Sequence, residues 1–78
     1  MGGVVKSGNV AHDAACLAAE VTRQNAVIGV ASSPAGQVVM DNAERAYHRS
    51  VVASAKLNLA GSGVEASLSA LRALGVSG

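Results

Sequence analysis

The strongest constraint on this chain is a shortage of bulk. Half of its residues are hydrophobic, but sixteen of the 78 are alanine and twelve are valine. It has no Phe and no Trp, and Tyr47 is its only aromatic residue. The large apolar side chains are six Leu, two Met, Ile28 and Tyr47. Each contributes about 1.5–3 kcal/mol when fully buried. Small domains short of such burial draw on disulfides, metals or oligomerisation. Cys16 is the lone cysteine, so an intrachain disulfide is excluded. It and the two histidines lack the spacing of a zinc site. Oligomerisation is the remaining route, so residues 1–78 are expected to form a single helical domain that assembles.

The formal charge is +1, with both signs scattered. No basic block points to nucleic acid. No apolar run approaches the roughly 18 residues of a membrane span. The start from Met1 to Lys6 lacks the long apolar stretch of a secretory signal. A free thiol suits a reducing compartment, so a cytoplasmic protein is expected. Gly2 after Met1 is similar to a myristoylation start, but Ser7 falls one position beyond the place of that motif's hydroxyl.

Three glycines in residues 1–8 read as a flexible arm. Asn9 is a good N-cap for a first helix over 9–31. Val10, Ala14, Leu17, Val21, Gln24, Ile28 and Ala31 advance by alternating steps of four and three, a heptad-like contact line along one face. Gln24, its one polar member, reads equally as a register-setting residue or a rim residue. His12, Asp13, Glu20 and Arg23 lie off the line, while Cys16, Ala18 and Ala19 widen the apolar surface. Val27-Ile28-Gly29-Val30 is β-branched and contains Gly, so strand competes there; the heptad steps favour helix.

Pro34 fits the first position of a second helix over 34–60, with Ser33 as its N-cap. On it Val39, Ala43, Ala46, Ser50, Ala53, Leu57 and Ala60 repeat the four–three steps. Five of these seven are Ala or Ser, which lets another helix approach closely. Met40, Tyr47, Val51 and Leu59 supply bulk elsewhere; Glu44, Arg45, His48, Arg49 and Lys56 mark the wetter side. Gly61-Ser62-Gly63 breaks the pattern. Ser62 and Glu65 have capping-box spacing for a short third helix over 63–74. Its Val64, Leu68, Leu71 and Leu74 form the bulkiest stripe in the chain. Gly75 stands where a left-handed C-cap residue belongs, with Val76 placed to touch Leu71.

The expected fold is all-α: an antiparallel helical hairpin closed across Ser33-Pro34, with a short C-terminal third helix, assembling into a higher-order oligomer. Self-association is assigned to Val39, Ala43, Ala46, Ser50, Ala53 and Leu57 on the second helix and to Leu68, Leu71 and Leu74 on the third.

Reactive chemistry finds little support. His12 and Cys16 are four apart and share a helix face, so the imidazole could activate the thiol. Nothing supplies an oxyanion hole, and cysteine also packs as a small buried hydrophobe, so a structural role is expected. His48 reads as a solvated side chain or, together with His12, as a pH-sensitive contact between subunits. The Gly61–Gly63 segment precedes a helix N-terminus, where anions bind, but it lacks the Lys and spacing of a phosphate loop and reads as a hinge. No catalytic residue, cofactor or metal is expected.

Thr22-Arg23-Gln24-Asn25, Ala31-Ser32-Ser33-Pro34-Ala35, Asn42-Ala43 and Gly63-Val64 occur in an order that resembles the small R-body structural proteins, the bacterial "killing trait" family. The resemblance covers about residues 20–68. It departs from the family pattern after Asn42-Ala43, where no Gln run follows, and at Ala60-Gly61-Ser62, in place of a Thr-rich stretch. The resemblance implies a proteinaceous ribbon, coiled in the cytoplasm, built from this chain and related small subunits, and acting on membranes only as an assembly. The hairpin with a Ser/Pro turn is also similar to type III secretion needle subunits, although Leu71-Arg72-Ala73-Leu74-Gly75 differs from their polar endings. The expected function is therefore a structural subunit of a self-assembling polymer. The alternative is a small helical adaptor, chaperone or antitoxin-like module that folds as a dimer or on a partner.

Overall fold

The computed structural model describes residues 8–76, and among them it contains three helices and no strand. The arm expected over residues 1–8 lies outside the described residues apart from Gly8, as does the Gly2 start. Helix α1 spans Val10–Val27, α2 spans Pro34–Asn58 and α3 spans Glu65–Ala73.

Local chemistry sets the helix starts. Asn9 is extended, and its side chain accepts from the His12 N–H at 2.9 Å. Ser33 does the same for the Gly36 N–H at 3.0 Å, with Pro34 in the first helical turn. Each oxygen satisfies one of the amides that a helix start leaves without an intrahelical acceptor.

Three boundaries differ from the expectation by two residues or more. The first helix stops at Val27 instead of 31, because Ile28 is extended and Gly29 takes φ +73. The Val30 N–H closes that turn on the Val27 carbonyl at 3.2 Å, which also rules out a strand over Val27–Val30. The second helix stops at Asn58 instead of 60, and Ala60 adopts φ +52. The third begins at Glu65 instead of 63, and Val64 occupies its N-cap without a side-chain cap bond. The capping box fails because Gly61 and Gly63, both at positive φ, turn Ser62 back toward α2. Its hydroxyl donates to the Leu59 carbonyl at 2.8 Å. Burial of Val64 then decides the cap position. The far end of α3 follows the expectation: the Val76 N–H donates to the Leu71 carbonyl and the Gly75 N–H to the Arg72 carbonyl, the two bonds of a Schellman ending.

α1 and α2 pack antiparallel. Asn9 Nδ2 donates to the Asn58 carbonyl, His12 meets Ser54, and Arg23 meets Glu44, so residue numbers rise on one helix as they fall on the other. α3 packs on α2 alone and makes no contact with α1. The Cα atoms span 38 × 28 × 16 Å. Among the described residues the buried apolar ones are Cys16, Ala43, Ala55, Val64 and Leu71, and no large side chain is fully enclosed.

Gly36 is the close point of the hairpin. A Cβ built on it would lie 1.8 Å from the Ala31 carbonyl oxygen. The loop after α1 therefore runs directly over the first turn of α2, and only glycine leaves room for it.

Candidate functional site

The surface joining α1 to α2 is polar. On α1 the buried residues are His12, Cys16 and Glu20, one line of i, i+4 steps. His12 Nδ1 lies 2.8 Å from Ser54 Oγ, and its Nε2 lies 3.4 Å from Cys16 Sγ. Asn58 Nδ2 donates to the same Ser54 oxygen at 3.1 Å. One turn further along, Arg23 pairs with Glu20 and reaches both Glu44 oxygens at 3.3 Å. The Arg23 guanidinium also sits 3.8 Å from the centre of the Tyr47 ring, a cation–π arrangement. Glu44 in turn lies 3.4 Å from His48 Nε2, and His48 Nδ1 lies 3.0 Å from Ser67 Oγ on α3. The polar line thus runs from α1 through α2 to α3. Every buried side-chain polar atom among the described residues has a partner.

This arrangement holds the helices rather than activating a group. Burial, and secondarily the charge of Asp13, raises the Cys16 thiol above its usual range. A nucleophilic cysteine needs the opposite shift. Burial also raises the Tyr47 hydroxyl, with the Arg23 charge opposing it. The hydrogen bond to Glu20 keeps the Arg23 guanidinium charged, against its burial. Among the described residues no group of three or more His, Cys, Asp or Glu side chains could hold a metal ion. No helix among them is long and apolar enough to cross a membrane.

The four–three line of α1 points into solvent. Val10 is 85 % exposed, Ile28 74 %, and Ala14, Leu17, Val21 and Gln24 are exposed between them. The residues assigned to self-association divide. Val39, Ala46, Ser50, Ala53 and Leu57 are exposed along α2, whereas Ala43 is buried at the α1 contact. On α3, Leu71 is buried and Leu68 and Leu74 are half-buried. Of the two histidines, His12 is enclosed in the α1–α2 seam, and His48 bridges Glu44 and Ser67.

A groove between α2 and α3 brings together Ala53, Leu68 and Leu71, expected from the sequence to belong to two separate contact stripes. It is lined by Val52, Ala53, Leu68, Leu71 and Val76 together with Arg49 and Lys56. Among the described residues neither cation forms an ion pair. The i, i+3, i+4, i+7 spacing of residues 49, 52, 53 and 56 carried this signal, hidden under the reading of Arg49 and Lys56 as a wetted side.

No family model, no curated protein and no solved structure matches this chain.

Proposed function

We propose that this chain is a structural subunit of a self-assembling cytoplasmic polymer, a ribbon or filament of the R-body kind. The observation that carries the reading is the orientation of α1. It turns His12 and Glu20, with Cys16 between them, toward α2 and leaves Val10, Leu17, Val21 and Ile28 in water. Contiguous exposed apolar surface on a small protein marks a contact with another molecule. Val38, Val39 and Leu57 on α2 are exposed as well. The small enclosed core supports the same reading, because neighbours supply the burial that the chain alone lacks. The order of Thr22–Asn25, Ser33-Pro34 and Asn42-Ala43 agrees with it.

The same exposed faces support a second reading, a helical interaction module that docks on a partner protein. Sedimentation velocity of the purified chain at micromolar concentration tests the first reading. Large, concentration-dependent species are expected, and a folded monomer overturns it. A defined dimer without larger species favours the interaction module. Electron microscopy over about pH 4 to 8 checks His12 and His48 as switches of the contact. Polymers that form equally across that range remove the switch and leave the assembly.

A further inference from the structure

Resting on the assembly reading, we infer that α3 is an exchangeable element: it leaves its own α2 and docks on α2 of a second copy through the same contacts.

The partner that fits this face of α2 is visible within the single chain, because α3 already covers it. Leu71 is buried beside Val52 and Ala53 of α2. Ser67 Oγ lies 3.0 Å from His48 Nδ1, and Arg45 reaches the Leu74 carbonyl at 3.5 Å. A second copy offers the same side chains at the same spacings, so exchange costs no complementarity. Among the described residues α3 touches no helix except α2. A helix of nine residues is too short to stand alone in water, so α3 is helical only while docked.

The connection favours exchange. Residues 59–64 join Asn58 to Glu65. Three of them, Ala60, Gly61 and Gly63, sit at positive φ, so the chain doubles back through a series of left-handed turns. At Ala60 that conformation is strained, and opening releases the strain. The Ser62 bond to the Leu59 carbonyl that opening breaks is exposed, so water replaces it. Fully extended, this connection reaches about 20 Å. The Cα atoms span 16 Å in their thinnest direction, so a copy stacked across that direction is within reach. Reciprocal exchange closes a two-fold dimer. Serial exchange from copy to copy leaves an open row, the polymer of the assembly reading.

Thiol cross-linking at the His48–Ser67 contact tests this. Cys16→Ala removes the native thiol from every chain used. One chain also carries His48→Cys and another Ser67→Cys; the two are mixed at micromolar concentration and oxidised. A disulfide-linked heterodimer is expected in excess over homodimers of either chain, because a bridge between these positions needs α3 of one copy on α2 of the other. A chain with both substitutions is then oxidised at high dilution, which closes the bridge within one chain. By sedimentation the locked chain is expected to stay monomeric, and reduction to restore the large species. Circular dichroism checks the helices, and Ala53→Cys with Leu68→Cys replaces the pair if helicity drops. A mixture without heterodimer, or a locked chain that assembles like the reduced one, overturns the exchange; large species of wild type then leave the assembly reading standing. Heterodimer without any larger species upholds the exchange and overturns the polymer. A monomeric wild type without heterodimer overturns both.

Discussion

His12 on α1 and Ser54 on α2, 42 residues apart in sequence, share a buried contact of 2.8 Å that ties the two helices of the hairpin in register. Ser54 also accepts from Asn58, and the far ring nitrogen of His12 meets Cys16. Ser54→Ala leaves the buried His12 ring and the half-buried Asn58 amide each short of a partner. We expect it to lower unfolding stability by about 1–3 kcal/mol. A double-mutant cycle with His12→Ala in urea should show a coupling above about 0.5 kcal/mol. Strictly additive losses would mean that the contact does not tie the helices.

Cys16 and Tyr47 make stability depend on alkaline pH. Burial raises the Cys16 thiol above its ordinary value of 9.0, and it raises the Tyr47 hydroxyl above 10.0. Below the ordinary values both the folded and the unfolded chain hold these protons, and the contribution is fully present. As pH rises past them the unfolded chain gives up its protons first, so the contribution is lost toward the folded pKa. The urea midpoint should fall above about pH 9, and Cys16→Ala should remove the first part of that fall. A midpoint independent of pH in that range would sink the prediction.

Gly36→Ala reverses the usual sign of its substitution. In an open helix, Ala in place of Gly stabilises by about 1 kcal/mol. Here the new methyl would meet the Ala31 carbonyl, a backbone atom that cannot swing aside. A net loss of about 1–3 kcal/mol is expected from the forced shift. Thermal unfolding decides it; a gain would show that the loop yields freely.

Ala60→Gly should stabilise. A left-handed backbone costs a non-glycine L-residue about 1–2 kcal/mol, and Ala60 sits at φ +52. Glycine removes that cost but loses more entropy on folding, which leaves a net gain of about 0.5–1 kcal/mol. Equal or lower stability in urea would contradict this.

Ala46→Leu addresses the exposed α2 line separately. Ala46 faces solvent, so monomer stability should move by no more than about 0.5 kcal/mol. If neighbours pack closely along this line, overpacking should weaken their contact by about 1–3 kcal/mol, seen as a raised critical concentration for assembly. Unchanged assembly would exclude Ala46 from the contact.

The parts of this fold that rest on neighbouring residues were legible in the sequence. Asn9, Ser33-Pro34 and Gly75 mark ends whose bonds close within a few positions. The four–three line of α1 was legible as a line, but its direction was not. Which face turns inward depends on Ser54, Glu44 and Tyr47, which receive His12 and Arg23 across the hairpin. Local periodicity holds no record of such pairs. Gly36 stayed unread for the same reason, since its requirement comes from the Ala31 carbonyl. Ser62 misled because two flanking left-handed glycines redirect a hydroxyl that spacing alone would place in a capping box.

Because α1 and α3 do not touch, force passing between these two helices crosses α2. A pull applied between α1 and α3 loads two joints in series. The α1 joint is laced by Asn9–Asn58, His12–Ser54 and Arg23–Glu44. The α3 joint rests on Val64 and Leu71 burial, the His48–Ser67 contact and Arg45 at the Leu74 carbonyl. Under tension the short nine-residue helix is expected to yield first, with the hairpin keeping its shape while the leucine-bearing end swings on Gly61 and Gly63.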